Sequence, residues 1–532
     1  MISSSFIQQH RLSSVAAVLL ALAFAVYYCA FAVPFYFDDY SSIVHNEALL
    51  KGDFFQYIAS RRAIPQLSLC LDYQLWADNF RFYHLQNIAL HGFNAVLVFC
   101  LVSRLTTVTR GKPQLWFAFF VAVLWLVHPL NSQPVIYIVQ RMALWATFFS
   151  LLSLLFFFKF RQSNPLKWQY LAACIVFAVC ALVSKETAVV LPAVILLTDI
   201  VVFKPGWRRL AKAYLPIAGA VLLIVLALFA LTNIDLVTLD AMTKEHGVMD
   251  RLSYFLAQQE IVANYLKKFF FPHPLLLEYP YYKAGSLSAA WPWLVLHLTI
   301  ITASLAFIVK APQLTYGVLF YYVFHLVESG VIPITDLAVE HRTYLPNIGL
   351  AIAVTTLLSY LVKGLNARAV LGVALLVITA AAVFTTIRVM QWQDKAAFYM
   401  RELRYNNENP RILSQLGAIY AKKGDLATAE HYFRQAFHLG WQQQRVSIYQ
   451  IESLIEILVL RNNMAFLQRF YAELDASFKD DPKWRSDVNS ILAKAFVKLK
   501  RCDIALPPLR LALELNPHNS DAKRLKAQCE QQ

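Results

Sequence analysis

Apolar runs separated by short charged loops set the pattern of this chain as far as residue 388. A bilayer-spanning helix needs about 20 mostly apolar residues, with roughly 17 to 25 tolerated. Runs near that length occur at 14–33, 85–103, 115–131, 143–158, 169–183, 188–203, 214–232, 291–309, 315–332, 346–362 and 369–387. They predict an all-α, polytopic membrane protein with about eleven transmembrane helices. Several runs are short enough for one pair to be re-entrant instead. The stretch Arg251 to Phe271 interleaves Leu252, Phe255, Leu256, Val262 and Leu266 with Gln258, Gln259, Glu260 and Lys267, the pattern of a helix lying along the interface. Beyond Arg388 the runs give way to a mixed-charge helical tail. The chain therefore divides into a membrane domain, 1–390, with long polar segments at 34–84 and 233–290, and a soluble domain, 391–532.

The tail repeats near the 34-residue period of tetratricopeptide units. Counted from Pro410, residues Leu416, Gly417, Tyr420, Ala429, Phe433 and Ala436 fall where two antiparallel helices need small or interlocking side chains. A second unit, 486–519, places Leu492, Ala493, Phe496, Ala505, Leu509, Ala512 and Pro517 at the same offsets. The stretch between them, 446–480, keeps a helical period without the small residues, and a capping helix follows the second unit. Cys502 and Cys529 flank the turn at 516–519 at similar distances. They could bridge on an oxidising side of the membrane or remain two buried thiols.

Charge orients the membrane domain. With the N-terminus in the cytoplasm, the inner loops hold Arg104, Arg110 and Lys112; Lys159, Arg161 and Lys167; Lys204, Arg208, Arg209 and Lys212; Lys310; and Lys363 and Arg368. This obeys the positive-inside rule. Asp38, Asp39, Glu186, Glu278, Asp336 and Glu340 fall on the outer side, which puts the repeat domain outside as well. The first run ends near Ala30-Phe31-Ala32, a site that could imitate a signal-peptidase signal, but cleavage there would not change the topology of the next loop.

Composition narrows the function. The chain is 58% hydrophobic and 15% charged over 532 residues, which excludes a soluble enzyme. The net charge of +15 belongs largely to cytoplasmic loops, so no nucleic-acid partner is expected. Seven cysteines show no zinc-type spacing, and no metal site is predicted, although a divalent ion stays open. There is no P-loop and no G-x-G-x-x-G for a nucleotide sugar.

The candidate chemistry gathers at the outer rim. Asp38 and Asp39 stand among Phe35, Tyr36, Phe37 and Tyr40 where the first helix meets solvent. Carboxylates crowded in a low-dielectric mouth have one proton affinity raised, as a general base requires. The second span carries His84, Asn87, His91 and Asn94 on one helical face, which suits either a cavity wall or helix–helix hydrogen bonding. His128, Arg141, Lys185, Lys267 and Glu340-His341-Arg342 come at similar depth. Cations beside a carboxylate pair fit a substrate with an anionic head group and a greasy tail.

Phe37-Asp38-Asp39, His128-Pro129-Leu130 through Ile138-Val139-Gln140-Arg141, Ser184-Lys185-Glu186-Thr187, Glu328-Ser329 through Ile332-Pro333-Ile334, and Asp336 to Pro346, joined to C-terminal tetratricopeptide repeats, resemble bacterial relatives of the transmembrane-and-tetratricopeptide protein O-mannosyltransferases. Those proteins are GT-C membrane glycosyltransferases. The resemblance implies transfer of a sugar from a polyprenyl-phosphate donor to an acceptor at the periplasmic face of a bacterial inner membrane, without nucleotide cofactor. It implies Asp38, or else Asp39, as the base. It implies Arg342 and His341 as donor-phosphate contacts, with Lys185 and Arg141 as second choices; the shared depth of the outer rim adds Lys267 to these, and the polar stripe and rim make His84, Asn87, His91, His128 and Glu340 candidates for cavity lining. The partners it implies are the lipid-linked sugar, membrane lipid and a periplasmic or pilin-like protein held by the repeat domain. Where relatives carry an acid after the His-Pro pair, this chain has Gln133-Pro134. A cell-envelope glycan ligase or polymerase, or a transporter or assembly scaffold recruiting partners through the repeats, are the rival expectations.

Overall fold

A computed structural model describes residues 4–216, 219, 250–280, 285–331, 333–334, 336–443 and 446–531. The chain forms two compact units, Met1–Asp394 and Lys395–Gln532. The described residues are helical, with no strand among them.

Among the described residues of the first unit six helices are long and apolar enough to cross a bilayer: Leu12–Ala32, Phe80–Arg110, Ile138–Gln162, Glu186–Phe203, Leu287–Ala306 and Ala367–Gln391. Leu115–Leu126 and Pro129–Ile136 qualify together but are bent by 60°, making a seventh if they form one broken span. The bend has a local cause. Pro129 cannot donate to the helix above it, and His128 caps the following turn by accepting the Leu130 N–H at 3.2 Å on Nδ1. This is a multi-pass membrane protein. The expected spans at 169–183, 315–332 and 346–362 coincide with helices of 15, 14 and 16 residues, Trp168–Leu182, Pro312–His325 and Pro346–Leu361. The expected span at 214–232 lies almost wholly outside the described residues, as does the first part of the segment 233–290.

Close packing needs small residues where backbones meet. Helices Pro312–His325 and Pro346–Leu361 touch at Gly317 and Gly349, and a Cβ on Gly317 would lie 2.5 Å from the Gly349 carbonyl oxygen. The helix Phe80–Arg110 ends on Gly111 at φ +75, the left-handed turn that glycine adopts without a Cβ clash.

The second unit contains three helical hairpins, Pro410–Lys422 with Leu426–Gln442, Ile448–Leu460 with Met464–Ser477, and Pro482–Lys498 with Cys502–Leu515, then the helix Ser520–Glu530. The repeat positions do what their size demands. A Cβ on Gly417 would meet the Phe433 ring at 2.8 Å, and Ala429, Ala436, Ala493, Ala505 and Ala512 are all fully buried. The pattern is that of tetratricopeptide hairpins, the middle one built from larger side chains such as Leu454, Leu458, Leu467 and Phe470. Cys502 and Cys529 are joined by a disulfide, their Cα atoms 5.4 Å apart.

Candidate active site

The chain leaves the first helix at Val33 and enters a tight turn. Phe37 sits there at φ +37, a region that bulky residues occupy only when their surroundings hold them. The hold is visible. The neighbouring Asp39 is buried, and its carboxylate accepts the Tyr36 N–H at 2.9 Å and the Val139 N–H at 2.8 Å. The Asp38 N–H donates to the Tyr137 hydroxyl at 3.0 Å, and the Tyr36 hydroxyl donates to the Trp392 carbonyl at 2.6 Å. The two adjacent acids therefore differ: Asp39 fastens the turn, and Asp38, only partly buried, is presented by it.

The segment that receives these bonds, the short turns Gln133–Ile136 and Ile138–Gln140, also reaches His341. Gln133 Oε1 accepts the His341 backbone N–H at 2.7 Å and lies 3.1 Å from His341 Nδ1. An atom that accepts a backbone N–H is the amide oxygen, so the ring bond requires the proton on Nδ1 and leaves the Nε2 lone pair free to accept. One eight-residue segment thus ties the aspartate turn at one end and the histidine at the other.

His341 faces a cleft of about 320 Å³, open mouth included, with Lys185, Arg342, Glu328 and Thr187. Lys185 Nζ stands 3.0 Å from Glu328 Oε1, and both are largely buried. Burial pulls the Lys185 amine below its ordinary value, with Glu328 opposing. Burial, reinforced by the charges of Lys185, Arg342 and Arg62, holds the His341 imidazole well below 6.5, so it is neutral at neutral pH. Arg342 Nη1 donates to the Leu337 carbonyl at 2.9 Å and Nη2 to that of Asp336, while its buried Nε has no hydrogen-bond partner among the described residues. The cleft gathers two cations, a neutral imidazole and one carboxylate, a set that can hold phosphate oxygens.

The remaining candidate residues lie elsewhere. Arg141 is buried inside the fold, where Nε donates to Asn87 Oδ1 at 2.7 Å, Nη2 to the Tyr83 carbonyl at 3.0 Å, and Nη1 pairs with Asp72 at 2.5 Å. A guanidinium so engaged fastens the helix Ala63–Trp76 to Phe80–Arg110 and cannot also turn to a lipid phosphate. Lys267 is exposed on the helix Arg251–Phe270, outside the cleft. The polar stripe is a packing seam in place of the expected cavity wall. His84 Nε2 bonds the Val33 carbonyl at 2.9 Å, Asn87 Nδ2 the Val135 carbonyl at 3.3 Å, and His91 meets the Tyr344 hydroxyl at 2.7 Å and the Leu126 carbonyl at 2.9 Å. His128 Nε2 contacts the Phe269 carbonyl at 2.8 Å. Glu340, fully buried, accepts the Tyr279 hydroxyl at 2.9 Å and lies 3.9 Å from Arg388, and burial raises its carboxyl above the usual range. None of these five lines the cleft.

Sequence reasoning missed Asp72 and the pairing role of Glu328. Asp72 is the lone acid in the helix Ala63–Trp76, and a single carboxylate among apolar residues signals a buried partner. No three His, Cys, Asp or Glu side chains cluster for a metal ion among the described residues.

The fold and site define a multi-pass membrane protein with a tetratricopeptide-type domain and a carboxylate turn joined to a basic cleft. No family model matches the chain. In sequence it is related to proteins named protein O-mannosyl-transferase. The one from Caenorhabditis elegans, F38B6.6, is 21% identical over 447 residues, 79% of this chain and 62% of its own length. TMTC2 of Mus musculus is 28% identical and that of Homo sapiens 27%, each over 202 residues, 34% of this chain and 23% of theirs. The chain therefore spans less than two-thirds of the length of these relatives. Among solved structures, a chain of the APC/C hetero-tetramer Cut9-Hcn1 aligns with 90% of this chain at 14% identity, covering 98% of its own, with a TM-score of 0.22, too weak a likeness to carry an argument.

Proposed function

We propose that the chain is a GT-C glycosyltransferase that moves a sugar from a polyprenyl-phosphate donor to a protein hydroxyl at the periplasmic face of a bacterial inner membrane. The observation that carries this reading is the segment 133–140, which fastens the Asp38 turn through Tyr137 and Val139 and orients His341 through Gln133. A base and a phosphate cleft built on one short wall suit an in-line displacement. Asp38 takes the acceptor proton, the freed oxygen bonds the anomeric carbon, and the carbon–phosphate oxygen bond breaks with its electron pair going to the lipid phosphate. Lys185 and Arg342 stabilise that phosphate most as its negative charge grows. His341 Nε2 accepts a hydroxyl hydrogen. Supporting the outer location are the charge bias of the loops and the disulfide, which persists in oxidising compartments. The tetratricopeptide-type unit recruits the acceptor, a periplasmic or pilin-like protein.

The test is transfer from radiolabelled polyprenyl-phosphate sugars by the purified chain in lipid vesicles, with Asp38→Asn beside it. Loss of transfer with lipid binding retained supports the reading, and undiminished transfer sinks it. Label arriving on lipid instead of protein favours a glycan ligase. Intact masses of outer-side proteins from cells with and without the gene identify sugar and target.

A further inference from the structure

A second cleft, of about 590 Å³ with its mouth, adjoins the aspartate turn. Its interior, apart from the open mouth, is about 170 Å³. Two of its walls belong to the site already described. Ser41, on one side, donates from Oγ to the Asp38 carbonyl at 3.2 Å, and Val139, on another, is the residue whose N–H holds Asp39. Met142 lines this cleft and the next residue, Ala143, lines the basic one, so the first turn of the helix Arg141–Gln162 divides them. At a second point Arg62, in this cleft, sets Nε 3.2 Å from both oxygens of Glu186, which lies between Lys185 and Thr187 of the basic cleft.

The lining tells what it would hold. It contains no carboxylate, and its one charged group, Arg62, already has Glu186 upon it, so the ligand is neutral. It is rich in hydrogen-bonding groups. Asn46 accepts the Tyr57 hydroxyl at 3.0 Å and donates to the Ser42 carbonyl at 3.2 Å. Gln66 Oε1 is buried with no hydrogen-bond partner among the described residues. A buried acceptor without a partner is costly, and a hydroxyl hydrogen would satisfy it. Met142 and Leu69 supply apolar surface for a ring's C–H face.

We propose that this cleft seats the sugar of the donor, a neutral pyranose held beside Asp38 while its phosphate occupies the cleft of Lys185 and Arg342. The assignment rests on the donor reading above. It makes Gln66 and Ser42 residues that read the sugar, and places the anomeric carbon near the dividing turn at Met142.

The experiment compares polyprenyl phosphate, bare or carrying mannose, glucose or N-acetylglucosamine, for binding to the full chain in lipid nanodiscs. Gln66→Leu should weaken binding of one or more glycosylated lipids about tenfold, the loss of a buried hydrogen bond, and leave bare polyprenyl phosphate unchanged. In a Ser42→Cys variant, maleimide labelling of Cys at that position should be slowed by the glycosylated lipid and not by the bare one. Equal weakening of both lipids by Gln66→Leu, or equal protection by both, overturns the assignment and leaves the donor reading standing. If neither lipid binds the wild-type chain, the donor reading fails. The cleft is then judged by methyl hexopyranosides: protection of the Ser42→Cys thiol keeps a sugar site, and no protection overturns it.

Discussion

Asp38 and Asp39 are the same residue side by side, and the geometry predicts opposite consequences for changing them. Each Asp39 carboxylate oxygen accepts one backbone N–H, from Tyr36 at 2.9 Å and from Val139 at 2.8 Å. A hydrogen bond to a charged group contributes roughly 1.5–3 kcal/mol. Asp39→Asn keeps one acceptor and turns an NH₂ toward the other N–H, so it should cost about 2–4 kcal/mol and let Phe37 leave its strained conformation. Asp38→Asn retains the backbone N–H bond to Tyr137 and leaves both Asp39 bonds in place, so it should destabilise the chain less than Asp39→Asn does. The assay is thermal unfolding of the two variants in detergent at one scan rate, paired with sugar transfer in vesicles. Asp39→Asn should unfold several degrees earlier and lose transfer through the loosened turn. Asp38→Asn should lose transfer with the smaller loss of stability. Equal stability losses, or an Asp39→Asn chain as stable as wild type, would refute the division of roles.

Four further outcomes follow from named contacts. His341 is held below 6.5, so between that lowered value and 6.5 the unfolded chain binds more protons than the folded one; stability rises with pH through the window and drops on acidification below about pH 6.5. Unfolding temperatures at pH 7.5 and 5.5 should therefore diverge more in wild type than in His341→Gln. Gln133→Glu sets a carboxylate beside Nδ1, raises the imidazole's proton affinity, and should shrink the same divergence; an unchanged profile would count against the pairing. Gly317→Ala should destabilise the membrane unit by about 1–3 kcal/mol, read as earlier thermal unfolding, because the added methyl meets a backbone carbonyl. Cys529→Ser should lower the stability of the C-terminal unit by about 3–4 kcal/mol, from the loop closed by a sequence separation of 27; it should also abolish a mobility difference between reduced and unreduced gels.

What the sequence discloses depends on how local the physics is. Hydrophobic length is local, so helices stand at the apolar runs outside the undescribed segments, and the small residues of the first hairpin announce the contact that Gly417 makes with Phe433. The bend at Pro129 is local too, yet the run 115–131 reads as one uninterrupted span, because hydropathy is blind to a missing N–H. Partners distant in sequence are not legible. His84, Asn87 and His91 declare a common face, but only folding brings the Val33 and Leu126 carbonyls and Tyr344 to it. Arg141 looks available until Asp72 and Asn87 are seen upon it. Gln133, in sequence a missing acid, is in space the residue that orients His341.

The bridge between Cys502 and Cys529 has a consequence for how this protein comes apart. A solenoid is held only by neighbour-to-neighbour contacts, so a module opens wherever those contacts give way. Here the helix Ser520–Glu530 is stitched to the start of the helix Cys502–Leu515, and separation of the two is stopped by a covalent bond. The segment between the two cysteines should thus resist proteolysis until a reductant cuts the stitch.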